Sequence, residues 1–155
     1  MVCSADIVLA SPRATFTMAY TAIGLSPDGS TSWFLPRLVG LRRAAELTLT
    51  NRRLSAEEAL DWGIVTRLVD EADLKAEALK LAGELAQGPT GAFGRSKRLL
   101  QESLDRDLRS QLAAESKALA ASGGHKARAA EILGLSRVTT RAKLRAIEQH
   151  AKDER

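Results

Sequence analysis

Cysteine is almost absent from this 155-residue chain. Its one example, Cys3, forms no internal disulfide, so a small disulfide-stapled fold is excluded. The scarcity points to a reducing compartment, most simply a bacterial-type cytosol, hence a cytoplasmic protein. Aromatic residues make up 4% of the chain while Ala and Leu are abundant, which favours helices over an all-β fold. No apolar run is long enough to span a bilayer. The N-terminus lacks a basic region, and Asp6 interrupts its apolar run, so it does not read as a signal peptide. His125 and His150 are far apart and isolated from Cys or acidic partners, so no metal site is read. No segment recurs with a period of 20–50 residues, which argues against a repeat array.

Apolar residues supply 45% of the sequence and charged residues 27%, the balance of a globular chain. Its length suits one ordinary domain. The net charge of +4 is unevenly placed: residues 123–155 hold eight Lys/Arg against four Asp/Glu, and the remainder is neutral. That tail suits an acidic partner, and a merely solvated helix surface explains the charge equally well.

The chain is organised around Thr17–Gly40, TMAYTAIGLSPDGSTSWFLPRLVG. A strand-like start breaks at Ser26-Pro27-Asp28-Gly29, where Pro27 fixes φ and Gly29 permits φ > 0. Ser30 or Ser32 is expected to cap the helix that follows, with Trp33, Phe34, Leu35 and Leu38 as its buried face. Upstream, Ile7–Ala10 and Ala14–Met18 read as strands around a turn at Ser11-Pro12-Arg13. Downstream, Leu41–Thr50 reads as a helix with Ala44, Leu47 and Leu49 inward. Ser55 and Glu58 form a capping box for a short helix containing Ala59 and Leu60. Trp62 reads as core, and Gly63 closes that helix in the left-handed conformation. Ile64–Val69 reads as a strand and Asp70–Gln87 as a long helix. A break at Gly88-Pro89-Thr90 precedes a helix to about Leu100, and Leu104, Leu108, Leu112 and Leu119 mark another. The fold class expected is α/β and helix-rich.

The IGLSPDG–LPRLVG block and LTNRRLSAEEALDWGIVTRLV at Leu49–Val69 resemble the second half of a crotonase-superfamily domain, the enoyl-CoA hydratase/isomerase fold of the ClpP/crotonase type. The resemblance covers roughly Ser4–Ser122. It implies a partial crotonase-like domain over 1–122, with the N-terminal half of such a domain missing, and a small helical tail over 123–155. It implies an acyl-CoA substrate, no cofactor beyond the coenzyme A of that substrate, and a homo-oligomer, trimer or hexamer. In such enzymes two backbone N–H donors hold a thioester enolate while acidic side chains move protons beside it. The donors and one carboxylate would fall upstream of Ser4, which implies that the 155 residues alone lack useful catalysis.

Tyr20 stands where the second carboxylate of a hydratase would fall, so simple hydration is disfavoured. Asp28 matches, by its spacing from Tyr20 and its P-D-G turn, the acid/base aspartate of some isomerases. Dienoyl-CoA and epoxyphenylacetyl-CoA isomerases resemble this arrangement. In 4-chlorobenzoyl-CoA dehalogenases the same position is a nucleophile, but those have an aromatic-His-Thr pattern where this chain has Tyr20-Thr21-Ala22. The resemblance therefore implies isomerase-like proton transfer on an acyl-CoA, with Asp28 catalytic and Tyr20, Ile23, Gly24 and Pro27 around the substrate. Asp28 as a turn residue bonded to its own backbone, and Tyr20 as core packing, are the competing readings from residue type. Arg37, Arg42 and Arg43 suit phosphate or plain surface, and Cys3 suits a small buried hydrophobe better than a nucleophile.

The tail segment Gly123–Ile147 is similar to a Fis-type helix-turn-helix. Ser136 would cap its second helix, and Arg137, Thr139, Arg141 and Lys143 would face duplex DNA. Thr140 and Ala142 depart from that pattern. DNA binding through this tail is the alternative function, and an ordinary amphipathic helix pair is its competitor.

Overall fold

The computed structural model describes residues 2–121. The helix-turn-helix reading and its Ser136, Arg137, Thr139, Arg141 and Lys143 lie outside the described residues. The chain divides into two compact units, with the boundary between Glu84 and Leu85.

In the first unit, four two-residue strands pair in twos. β1 (Leu9–Ala10) runs parallel to β4 (Arg67–Leu68), with Leu9 opposite Arg67. β2 (Thr15–Phe16) runs antiparallel to β3 (Leu54–Ser55), with Phe16 opposite Leu54. The strands are shorter than the expected runs. Beyond the ladders, single bonds extend the β1–β4 pairing, such as Thr66 N to Val8 O at 2.8 Å and Val69 N to Ala10 O at 2.9 Å.

Helices α1 (Thr31–Val39), α2 (Leu41–Thr50) and α3 (Ala56–Asp61) supply most of the core. Leu35, Val39, Ala44, Leu47, Leu54, Ala59, Ile64 and Val65 cluster there with Ala10. The inward stripe of α1 is Thr31, Leu35 and Val39, spaced by four. Trp33 and Leu38, expected inward, are 39% and 41% exposed. Trp33 instead carries the Arg37 guanidinium over its ring, 3.9 Å from the centroid, and meets Phe34 edge-on. Ser30 gives α1 no side-chain cap, because it sits in the left-handed region at φ 64°, and a capping serine needs extended backbone. In α2 the inward residues are Ala44 and Leu47; Leu49 is 74% exposed, two residues and so about 200° round the helix from Leu47.

The capping box of α3 is present in both directions. Glu58 N donates to Ser55 Oγ at 3.1 Å, and Ser55 N donates to Glu58 Oε2 at 3.0 Å. Ala56 and Ala59 are the buried residues of α3, while Leu60 is exposed. Gly63 follows at φ 77°, the left-handed stop expected of it. Trp62 is half-buried against the core, with Arg43 and Arg52 over its ring at 4.5 and 5.0 Å. Helix α4 (Leu74–Gln87) follows, with the unit boundary in its last turn.

The second unit contributes α5 (Thr90–Ser103) and α6 (Leu108–Ala121). Arg106 pairs with Glu102 where α5 ends, and Gln111 Nε2 donates to Leu99 O at 3.3 Å. Asp107 caps α6 by accepting from Ser110 N at 2.9 Å and Ser110 Oγ at 2.7 Å. Those two bonds, the side-chain one first, hold the Asp107 carboxyl below its ordinary pKa.

Candidate active site

The segment from Thr17 to Gly29 has little regular structure, so its shape comes from specific hydrogen bonds. Thr21–Ile23 is a single 3-10 turn closed by Gly24 at φ 75°. Ile23 N and Leu25 N both donate to Tyr20 O, at 3.1 and 3.0 Å. A second turn follows: Thr31 N donates to Asp28 O at 3.0 Å across Gly29 and Ser30, both in the left-handed region. Paired positive φ values at the two central residues are the pattern of a type I′ turn.

The first turn lies between Tyr20 and Asp28, whose side chains meet. Tyr20 Oη donates to Asp28 Oδ1 at 2.7 Å. The Asp28 side chain is thus not folded onto its own backbone, and Oδ2 accepts no hydrogen bond among the described residues. The phenol pKa is raised, chiefly because the Asp28 carboxylate accepts its proton in a hydrogen bond, then by partial desolvation and the carboxylate's charge. The Thr31 side chain works in the opposite direction.

Tyr20 stands at the edge of a cavity of about 350 Å³. Cys3, Phe16, Met18, Leu35 and Leu54 are among its lining residues, so its wall is mainly apolar. Cys3 is half-buried, and burial raises its thiol pKa. Of the four pocket residues named from the sequence, Tyr20 lines this cavity. Ile23 is 72% exposed, Gly24 is exposed, and Pro27 is half-buried in the irregular stretch before Asp28.

A second layer of contacts was not foreseen from the sequence. Asn51, the residue that ends α2 at φ 53°, donates from Nδ2 to Thr21 Oγ1 at 2.7 Å. Thr21 Oγ1 donates in turn to Thr48 O at 2.5 Å. Ala22 N donates to Asn51 Oδ1 at 3.3 Å, and Thr17 Oγ1 donates to Asn51 O at 3.2 Å. The available signal was an asparagine after a helical run, since asparagine tolerates the left-handed conformation. Nothing in the spacing linked it to Thr21, thirty residues away.

Arg52 bridges two helices, donating to Glu46 at 2.7 Å and Glu58 at 3.0 Å, and both carboxylates raise its pKa, Glu46 first. Glu58 is held below its ordinary pKa, first by the Ser55 backbone N–H and then by Arg52. Arg37 and Arg43 lie on Trp33 and Trp62, and Arg42 is exposed. Among the described residues no group of three or more His, Cys, Asp and Glu is placed to hold a metal. No described helix is long and apolar enough to cross a membrane.

The described site is thus an exposed carboxylate held by Tyr20, and Tyr20 also lines a mainly apolar cavity. The enoyl-CoA hydratase/isomerase family model matches residues 1–137, and the chain belongs to that family. It is 42% identical over 120 residues to 4-chlorobenzoyl coenzyme A dehalogenase-1 of an Arthrobacter species, covering 77% of this chain and 44% of that protein. It is 40% identical over 107 residues to the 1,2-epoxyphenylacetyl-CoA isomerase of Escherichia coli K12, covering 69% and 41%. The enoyl-CoA hydratase/isomerase structure from Cupriavidus metallidurans CH34 superposes with a TM-score of 0.76 at 41% identity, over 84% of this chain and 49% of that one. The fold is therefore crotonase-like, and the chain spans about half the length of the relatives it matches.

Proposed function

We propose that this chain carries the proton-transfer carboxylate of an acyl-CoA isomerase. Asp28 takes a proton from a carbon near the thioester and returns it at another position, while the acyl group occupies the cavity beside Tyr20. The observation that carries this reading is the 2.7 Å hydrogen bond from Tyr20 Oη to Asp28 Oδ1. It fixes the carboxylate in one orientation and leaves the second oxygen for the substrate, the geometry a general base requires. The identity to a 1,2-epoxyphenylacetyl-CoA isomerase supports isomerisation. The similar identity to a dehalogenase supports an aspartate-centred site but favours a nucleophile. Tyr20-Thr21-Ala22, in place of the aromatic-His-Thr pattern, inclines the reading to proton transfer.

The enolate oxygen would be held by backbone donors expected upstream of Ser4 in a full-length domain. Each such donor is worth about 10²–10³ in rate, so the 155 residues alone are expected to be slow. A positioned base still contributes about 10²–10⁴, and this part belongs to Asp28. The test is deuterium incorporation into phenylacetyl-CoA at the carbon next to the thioester, followed by mass spectrometry in heavy water. Incorporation above the protein-free rate, lost in Asp28→Asn, is expected. Equal incorporation in the variant overturns the proton-transfer role. A homo-oligomeric assembly is part of the same proposal.

DNA binding through residues 123–155 is a second reading. It is favoured by one observation, that the whole positive excess of the chain lies there. The family match runs on to residue 137 and so overlaps the first half of that motif. Duplex affinity that falls with salt and is lost when Arg137 and Arg141 are changed together is expected of it. Unchanged affinity in the double variant removes it.

A further inference from the structure

Tyr20 and Asp28 are both on irregular backbone, and a site on irregular backbone needs something rigid behind it. The rigid part here is α2, anchored in the core by Ala44 and Leu47. Its C-terminus is the point at which the loop is fastened. Asn51 Nδ2 and Thr48 O both meet the single hydroxyl of Thr21, at 2.7 and 2.5 Å, so that hydroxyl donates to one helix-end group and accepts from another. Asn51 Oδ1 takes Ala22 N, and Asn51 O takes Thr17 Oγ1, on the two sides of Tyr20. All four bonds end within four residues of Tyr20, whose own carbonyl is the origin of the 3-10 turn.

We propose that Asn51 is a positioning residue: with Thr21 it clamps the segment around Tyr20 to the end of α2 and thereby sets the Tyr20–Asp28 hydrogen bond. The conformation of Asn51 assists. At φ 53° it occupies the left-handed region, where asparagine is tolerated, so its side chain turns back over the helix end toward the loop. Glycine adopts the same backbone freely but has no amide to give. The inference rests on Tyr20 and Asp28 being the working pair, but its test does not depend on turnover.

Tyr20 is the only tyrosine in the chain, so the near-ultraviolet absorbance of tyrosinate reports on this phenol alone. The wild-type titration midpoint is expected above that of Asp28→Asn, and the difference between them measures the bond. Asn51→Gly is expected to lower the midpoint by at least half of that difference. Thr21→Val is expected to do the same, and Thr21→Ser, which keeps the hydroxyl, to restore it. The proposal is overturned if Asn51→Gly and Thr21→Val both titrate like the wild type. It is also overturned if Asp28→Asn itself leaves the midpoint unmoved, since there is then no bond to position. Where Asn51→Gly loses its folded circular dichroism, the Thr21 pair decides. Loss of deuterium exchange in Asp28→Asn with no change in any titration separates the two claims, because the catalytic reading then survives and the clamp does not.

Discussion

Replacing Leu54 by alanine is expected to cost the first unit most of its stability, and replacing Leu49 almost none. Both are leucines, five positions apart, on either side of the turn between α2 and β3. Leu54 is 1% exposed, pairs across from Phe16, and forms part of the wall of the site cavity. Removing its terminal atoms forfeits about 0.8 kcal/mol for each buried methylene equivalent. The vacated space opens onto a cavity of about 350 Å³ already present, so neighbours have little reason to collapse into it. The expected loss therefore lies in the upper part of the usual range of about 2–5 kcal/mol for leucine to alanine. For a unit of this size, about 1 kcal/mol moves the melting midpoint by about 4–8 °C. A fall of at least about 12 °C is expected in a thermal melt followed by circular dichroism. Leu49 is 74% exposed, and its truncation is expected to stay within about 0.5 kcal/mol. Equal destabilisation by the two variants refutes the assignment of the core.

Ser55→Ala removes the acceptor for Glu58 N and is expected to cost about 1 kcal/mol, read from the same melts. The depressed pKa of Glu58 has a pH consequence. A carboxyl that is more acidic folded than unfolded contributes stability fully above its unfolded pKa, and that stability is lost as pH falls through the folded value. Melting midpoints are therefore expected to fall below about pH 4, the drop being smaller in Glu58→Gln. Tyr20→Phe is expected to abolish the high-pH tyrosinate transition altogether, which checks that the absorbance reports on one phenol.

Much of the helical framework was legible because local chemistry decides it. The Ser55–Glu58 box, Gly63 and the Gly88-Pro89-Thr90 break act within four residues of themselves, and each marks a boundary the structure keeps. Which side of a helix faces inward was less legible. Trp33 and Leu38 are as apolar as Leu35, but α1 buries the row that begins at Thr31, and Arg37 stacked on Trp33 makes its exposure tolerable. Leu49 failed because it stands about 200° round α2 from Leu47, which the core takes. At the site, the family resemblance singled out Tyr20 and Asp28, and the structure places phenol and carboxylate within hydrogen-bond distance. The fastening by Asn51 was invisible, because it joins residues thirty apart through one hydroxyl and leaves no periodic trace.

The central claim is that the cavity lined by Tyr20 accepts the acyl end of a coenzyme A thioester. A ligand that binds only the folded state raises the melting midpoint, by about 2.7 kcal/mol in stability at a hundred times its Kd. The decisive measurement is a thermal melt of the chain with and without millimolar phenylacetyl-CoA, with free coenzyme A as the control. An upward shift that exceeds the shift from coenzyme A alone, and that shrinks when Phe16, at the cavity wall, is changed to alanine, is the expected result. A cooperative transition that ignores the thioester contradicts the claim.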